Sequence, residues 1–195
     1  MKVIGWAALF LALYFGLAHG TVPVNRRSCP PSWSEFQGHC YHYFCDRLLW
    51  SEGEEQCQQH GSAAGGVSHL VSISSEDENT FVYQMYHESL TFTPPDWQPG
   101  HVFDGFWLGL RQRTRNGPWL WSDGSSSIYT KWMEGEPNDY AGIEDCAIMW
   151  RKDSESDALQ EWNDIECDNR RLAMPFMCEI SFDENNCSGG DSPLA

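Results

Sequence analysis

The sequence predicts an α+β fold in which two helices accompany several short strands and disulfide bonds hold the chain together. Two segments have the spacing of amphipathic helices, and short runs rich in aromatic and β-branched residues have the character of strands. The chain also has eight cysteines, an even number that is typical of a disulfide framework. A long acidic stretch in the second half lacks regular signals, and such a loop in a compact domain is usually functional or tied down.

The first half of the chain contains both predicted helices. Residues 29–44 are expected to form a small hairpin followed by an aromatic strand. Residues 47–61 have the spacing of an amphipathic helix, with Gly61 as its C-terminal stop. After a short strand, Ser75 and Glu78 have the spacing of a capping box. This predicts a second helix that begins one residue after the serine.

The second half of the chain contains most of the predicted strands. Residues 91–100 are expected to be a loop, because prolines and a glycine interrupt any regular pattern. Short strands are predicted at 106–110 and within 117–124. Two further strands, at 146–150 and 176–182, follow and frame the acidic region.

The N-terminus predicts a secretory signal peptide. Lys2 precedes an apolar run, and small residues lead up to the expected cleavage site before Thr21. A membrane anchor is the alternative, but the apolar run is short for a span. The chain then divides into a signal peptide at 1–20, a short N-terminal segment at 21–28, one domain at 29–182 and a C-terminal tail at 183–195.

The charge of the chain excludes several classes of partner. Lys and Arg number 12 against 28 Asp and Glu, so the net charge is −16, and removing Lys2 with the signal peptide makes it −17. Such a chain repels nucleic acid and anionic membranes and attracts cations. We therefore expect no nucleic-acid partner, and no later segment is apolar enough to span a membrane.

Zinc binding and catalysis are both disfavoured by the motifs. The cysteines include no Cys-x-x-Cys pair, and the histidines lack paired ligand spacing. The stretch "HESLT" at 87–91 lacks the second histidine of a zinc protease, and no Gly-x-Ser-x-Gly elbow is present. We therefore expect a protein that is not an enzyme.

The acidic stretch predicts a calcium site built from two segments. Calcium takes six to eight oxygen ligands and accepts carboxylates, amides and carbonyls together. A disulfide between Cys146 and Cys167, which lie just beyond the two groups, would bring them side by side. The candidate ligands are Glu136, Asn138 and Glu144 from one loop, and Asn163 and Asp164 from the other segment.

Pro137 has a physical role in this arrangement. A cis peptide bond before proline costs about 0.5–1 kcal/mol, and would turn the oxygens of Glu136 and Asn138 to the same side. A sugar hydroxyl could then bind the metal, accept a hydrogen bond from an asparagine and donate one to a glutamate. Acid and amide must therefore come in pairs, Glu136 with Asn138 and Glu144 with Asn163. A sugar with two neighbouring hydroxyls fits such a site.

The sequence resembles the C-type lectin-like domain over nearly all of residues 29–180. The matching stretches are "CPPSWSEFQGHCY", "WSEGEEQC", "HLVSISSEDE", "FWLGL", "WLWSDGS", "KWMEGEPND", "GIEDCA", "EWNDIEC" and "FMCE". The resemblance implies the C-type lectin-like fold with a long calcium-binding loop region and a cis Pro137. It also implies the same five calcium and sugar ligands. The disulfides that it implies are Cys29–Cys40, which marks the long form of the domain, Cys57–Cys178 and Cys146–Cys167.

The resemblance also implies a class of sugar. In this family Glu-Pro-Asn accompanies mannose-type sugars, whose neighbouring hydroxyls are equatorial, and Gln-Pro-Asp accompanies galactose-type sugars. This chain has the former, so mannose, N-acetylglucosamine or fucose is expected. Tyr140 stands where its ring could lean on the sugar, although an exposed loop tyrosine without that role is equally compatible.

A second calcium site is expected to be weak or absent. Many family members bind a second ion through two acids in a loop where this chain has Gln112 and Asn116. Asp139 and Asp145, with Glu144, could still contribute. Three nearby arginines, at positions 111, 113 and 115, oppose a second cation.

The remaining cysteines, Cys45 and Cys187, leave the oligomeric state open. They could pair with each other, or they could link chains into a homo-oligomer. The predicted function is a secreted, extracellular, calcium-dependent lectin that serves agglutination or innate recognition of glycans. The alternative is a biomineral-matrix or protein-binding member of the same family, because fold alone does not fix function.

Overall fold

The structure is a computed structural model that describes residues 28–89, 105–150 and 160–182. The predicted signal peptide and C-terminal tail lie outside the described residues, as do Cys187 and the loop predicted at 91–100. Within the described ranges, no helix combines the length and the apolar character needed to cross a membrane.

Two helices and eight strands confirm the predicted α+β class among the described residues. In chain order these are β1 (Ser34–Phe36), β2 (His39–Leu48), α1 (Trp50–Ala64), β3 (Val67–Leu70), α2 (Glu76–Ser89), β4 (Gly105–Gln112), β5 (Trp119–Trp121), β6 (Cys146–Trp150), β7 (Glu161–Ile165) and β8 (Met174–Ser181). Short 3-10 turns lie at Tyr140–Gly142 and Arg170–Leu172.

The strands join into one hydrogen-bonded sheet in the order β1-β2-β8-β4-β6-β7. Strand β3 pairs with β8, and β5 pairs with β4. Most neighbours are antiparallel, whereas β4 and β8 meet in parallel where Trp107 faces Phe176. Strand β7 therefore lies at the end of this order, beside β6, and carries Asn163 and Asp164 to the acidic loop.

The core and the disulfides connect the two halves of the chain. Trp107 and Trp162 are among the largest side chains that are fully buried, and each lies in one of two apolar clusters. Three disulfide bonds join described residues, and these are Cys29–Cys40, Cys57–Cys178 and Cys146–Cys167. The last of these joins the start of β6 to the chain just after β7. Cys45 is exposed and forms no disulfide with any other described residue.

The capping box predicted at the start of α2 is formed in only one direction. The backbone N–H of Glu78 donates to the hydroxyl of Ser75 at 3.2 Å, as the pattern predicts. The Glu78 carboxylate instead accepts from the backbone of Ser74 at 2.8 Å and from the hydroxyl of Tyr41 at 2.7 Å. The glutamate therefore ties the helix to β2, because a tertiary partner competes with the local one.

The predicted stop of the first helix at Gly61 is wrong. Helix α1 continues to Ala64 and ends at Gly65, whose φ of 71° is readily adopted only by glycine. Gly61 is buried inside the helix, and a Cβ at this position would lie 2.4 Å from the backbone nitrogen of Ser68. The glycine is therefore needed for the close approach of α1 to β3, not for termination.

Replacing Gly61 with alanine should destabilise the fold by about 1–3 kcal/mol, because the added methyl group overlaps the backbone of β3. Gly53→Ala is the matched control in the same helix. A Cβ there meets Phe176 at 3.4 Å, an ordinary contact, so the change should be neutral or stabilising. Urea unfolding of both variants measures the difference, and equal effects would contradict the close approach.

Candidate functional site

The acidic loop, defined here as residues 134–145, is attached to the sheet by backbone hydrogen bonds at its start. The backbone N–H of Met133 donates to the carbonyl of Trp162 at 2.9 Å, and Glu136 N–H donates back to Met133 at 2.9 Å. The peptide bond between Glu136 and Pro137 is cis. These hydrogen bonds place Glu136, the first candidate ligand, in a turn beside β7.

Asp164 organises the loop from the sheet. Its side chain is fully buried on β7, opposite Ala147 of β6. One carboxylate oxygen accepts from the backbone N–H of Asn138 at 3.0 Å, and the other accepts from Asp139 at 2.7 Å. A buried carboxylate bound by two N–H groups holds the loop against the sheet, and each oxygen retains a further lone pair.

Glu136 is crowded by other acids. Burial raises the pKa of Glu136 to about 7, and contact with Asp164 and the charge of Glu144 act in the same direction. The Oε2 atom of Glu136 is buried and has no hydrogen-bond partner. An acceptor that is buried without a donor is costly, so this oxygen is suited to a cation.

Glu144 closes the loop from its far end. One of its oxygens accepts from the backbone N–H of Tyr140 at 2.8 Å. Burial raises the pKa of Glu144, and the Tyr140 N–H opposes this effect, whereas the charges of Asp164, Asp139 and Glu166 reinforce it. Glu144 is therefore a second carboxylate whose charged form would be favoured by a nearby cation.

The two candidate asparagines differ in their surroundings. Asn163 is only 6 % exposed, and its amide N–H donates to the carbonyl of Asp164 at 2.6 Å. This bond leaves the amide oxygen of Asn163 as the available ligand atom. Asn138 is exposed at the loop surface, next to the cis proline, so its side chain is accessible to a ligand from solvent.

The donor set fits calcium. Carboxylate and amide oxygens are hard ligands of the kind that calcium prefers, and the unpartnered Glu136 oxygen lies beside Asp164. Among the described residues, no group of three or more His, Cys, Asp or Glu side chains forms a cage for a metal. A calcium site at this loop would combine the carboxylates with the amide oxygens of Asn138 and Asn163.

Tyr140 projects from the turn at the edge of the loop. Tyr140 is 74 % exposed to solvent, although its backbone N–H donates a hydrogen bond to Glu144. Its use as a sugar contact stays a prediction, because the structure fixes the backbone of this residue and leaves its ring accessible.

The residues predicted for a second calcium ion have different positions. Asp139 has a positive φ of 46°, and its side chain accepts from the backbone N–H of Glu144 at 3.2 Å. Asp145 instead lines a cleft with Arg111 and Arg113. A weak second site at these acids stays a prediction.

Two features of the site were missed from the sequence. Glu166 lies just beyond β7, and its charge contributes to the raised pKa of Glu144. Arg115 reaches across to the loop, because a Cβ added at Gly142 would lie 1.8 Å from its guanidinium. The spacing of Glu166 from Asp164 was a usable signal, whereas the contact of Arg115 depends on tertiary structure.

Comparison with known proteins identifies relatives of this chain. Residues 46–180 match the family described as the Lectin C-type domain. An α-N-acetylgalactosamine-specific lectin from Patiria pectinifera is 34 % identical over 178 residues, which cover 89 % of this chain and 95 % of that protein. Echinoidin from Heliocidaris crassispina is 36 % identical over 147 residues, which cover 73 % of this chain and 91 % of echinoidin.

A solved structure shares the fold. The C-type lectin CEL-I from Cucumaria echinata superposes with a TM-score of 0.64 at 26 % identity. The superposition covers 80 % of this chain and 99 % of that one. The two helices, the sheet and the disulfides described above are therefore arranged as expected for the resemblance found in the sequence.

Proposed function

The chain belongs to the C-type lectin family, whose lectins are non-enzymatic carbohydrate-binding proteins, and we propose that it binds mannose-type sugars through calcium. The proposal has two parts. One is that the acidic loop and β7 hold the ion, and the other is that Glu136 and Asn138 select the sugar.

The observation that carries the proposal is the buried, unpartnered oxygen of Glu136 beside the buried carboxylate of Asp164. Two carboxylates at close range repel each other, and an unpartnered buried oxygen loses its hydration without compensation. A divalent cation would compensate both effects. The overall charge of −16 gives further attraction for a cation.

Each residue of the site then has a definite role. Glu136, Glu144 and Asp164 supply charge, and Asn138 and Asn163 supply neutral oxygens. Asp164 also holds the loop backbone through its bonds to residues 138 and 139. When calcium is bound, it offers its remaining coordination positions to neighbouring hydroxyls of a sugar.

The order of acid and amide supports a mannose-type preference. When it is ionised, as a bound cation would favour, Glu136 can only accept a hydrogen bond from a sugar hydroxyl, whereas the amide of Asn138 can donate one. Glu144 and Asn163 form the second such pair. The Patiria pectinifera lectin is named for α-N-acetylgalactosamine, so a galactose-type preference is the competing outcome. Mannose, N-acetylglucosamine and fucose are the sugars that we expect this chain to bind.

We further propose that the protein acts outside the cell. Three disulfide bonds in the described residues are typical of an oxidising compartment. Single sugars bind weakly at shallow wet sites, so agglutination or recognition of a glycan surface needs several sites on one particle. The exposed thiol of Cys45 supplies one route to a homo-oligomer.

Affinity chromatography tests the proposal. The protein should be retained on immobilised mannose in calcium, retained less on immobilised galactose, and eluted by a chelator. Asn138→Ala should abolish retention, because it removes a metal ligand and a donor to the sugar. Glu134→Ala, an exposed acid in the same loop without an assigned role, is the matched control and should bind normally.

Retention on neither sugar would overturn the proposal. Adsorption to a calcium mineral without retention on sugar would favour the alternative of a mineral-matrix protein. Stronger retention on galactose than on mannose would overturn the assigned preference and leave the calcium site in place. Circular dichroism of each variant establishes that a loss of binding is not a loss of fold.

A further inference from the structure

Two adjoining clefts lie beside the acidic loop, between α1 and the hairpin of β4 and β5. The larger has a volume of about 380 Å³, and the smaller about 310 Å³. Trp50, Arg111 and Arg113 line both clefts. The larger volume is within the range of roughly 300–1,000 Å³ found for small-molecule sites.

Arg111 lines both clefts and is packed between two strands and a tryptophan ring. It belongs to β4, where it faces Leu120 of β5 and Cys146 of β6. Its guanidinium lies over the ring of Trp50, 4.7 Å from the ring centroid. Its Nε–H is buried and donates to no protein acceptor. A stacked guanidinium with an unused donor is preorganised for an anion.

A second buried donor lines the larger cleft. The hydroxyl of Ser122 is buried and has no hydrogen-bond partner in the protein. Arg113 lies on the exposed side of the same cleft, and no ion pair joins it or Arg111 to any other described residue. The lining of this cleft therefore includes two buried polar atoms without a protein partner, Arg111 Nε and Ser122 Oγ, and the exposed side chain of Arg113.

The single acid of the larger cleft does not neutralise these arginines. Glu54 is buried, and its carboxylate accepts from His69 at 2.5 Å, from Gln58 at 2.8 Å and from the backbone of Leu70 at 3.0 Å. The hydrogen bond from His69 to Glu54 raises the pKa of His69, which favours a compensating positive charge. The charge of Glu54 is therefore satisfied within the fold.

The smaller cleft connects this cavity to the acidic loop. Gly142 and Ile143 line it from the loop side, and Ile143 is 50 % exposed. Asp145, Glu166 and Asp168 also line the smaller cleft, and their charges disfavour an anion there. A ligand that runs from the loop past Ile143 would reach a cationic cavity at its far end.

We propose that Arg111, Arg113 and Ser122 form a subsite for an anionic group, a sulfate or a carboxylate, on a glycan whose neutral end is bound at the loop of Glu136 and Asn138. Binding of the neutral sugar at the loop rests on the proposed function, whereas binding of the anionic group by the arginines does not. A polyanionic partner would be repelled by a chain of charge −16, so recognition has to be local and stereospecific.

The anionic end is tested without calcium. The Arg111 Nε–H signal is followed by ¹H–¹⁵N NMR in a chelator during titration with N-acetylglucosamine 6-sulfate, with glucuronate and with neutral N-acetylglucosamine. Both anionic sugars, or one of them, should shift the signal, and the neutral sugar should leave it unchanged. Arg113→Gln should weaken the response by about ten-fold, the loss expected for one charged hydrogen bond.

The whole arrangement is tested with calcium on surfaces of mannan and of sparsely sulfated mannan, whose low charge density limits the long-range repulsion by the acidic chain. Wild-type protein should bind the sulfated polymer about ten-fold more tightly, and Arg111→Gln with Arg113→Gln should remove only that difference. The single variant Arg113→Gln should reduce this difference in part, and Arg171→Gln, at an exposed arginine outside both clefts, is its control for the loss of one charge.

An unmoved Arg111 signal in the NMR titration would overturn the subsite, as would equal binding to the two polymers. A signal shifted by an aspartate-containing peptide but by neither anionic sugar would overturn its assignment to glycans. An arginine-dependent shift without retention on either polymer would support the anion subsite and overturn the calcium-dependent function.

Discussion

Replacing Glu136 with glutamine and Asn138 with aspartate should move the preference of the protein from mannose-type to galactose-type sugars. The exchange reverses which side of the cis proline donates a hydrogen bond and which side only accepts one. Each lost charge-assisted bond is worth about 1.5–3 kcal/mol, so affinity for mannose should fall at least about ten-fold. Inhibition of binding to a mannose surface by free monosaccharides measures both affinities.

The single variant Glu136→Gln is the control for this exchange. It leaves two amides beside the proline, so it should lose mannose binding without gaining galactose binding. Both variants keep the backbone bonds from residues 138 and 139 to Asp164, so the loop should stay in place. Unchanged mannose preference in the double variant would show that these side chains do not select the sugar.

Removing the Cys57–Cys178 disulfide should cost the largest share of stability. The bond ties α1 to β8 across a separation of 121 residues. Closing so long a loop restricts the unfolded chain by about 5 kcal/mol, against about 3 kcal/mol for the 11-residue separation of Cys29–Cys40. Urea unfolding of the two paired alanine variants should therefore differ by about 2 kcal/mol.

Equal losses from the two deletions would contradict the assignment of this stabilisation to the unfolded chain. Both cysteines of the long-range bond are fully buried, so truncation to alanine adds a packing loss in the same direction. A larger loss from the short bond would contradict the account outright.

The sequence was most informative where local chemistry determines the structure. Helix α2 begins at Glu76, as predicted, because Ser75 caps the backbone of Glu78. Tertiary contacts overrode the local signals elsewhere. Gly61 has the appearance of a helix stop, yet it serves the approach of α1 to Ser68, which no short-range pattern shows.

At the candidate site, too, local patterns predict some features and tertiary structure determines the others. The pattern of acids, amides and proline predicts which residue types meet, and the structure places Glu136 beside Asp164. The pattern does not show that Asp164 binds two backbone N–H groups of the loop. That role depends on the register of β6 and β7, in which Asp164 faces Ala147. The cleft lined by Arg111, Arg113 and Ser122 also depends on tertiary packing, because its lining comes from α1, β4 and the chain around β5.

A crystal structure of the protein grown with calcium and methyl α-mannoside would show whether the acidic loop and β7 hold both the ion and the sugar. We expect one calcium ion bound by Glu136, Asn138, Glu144, Asn163 and Asp164, with two neighbouring sugar hydroxyls on the same ion. A calcium ion bound by other residues, or a sugar that touches none of these five, would contradict this expectation.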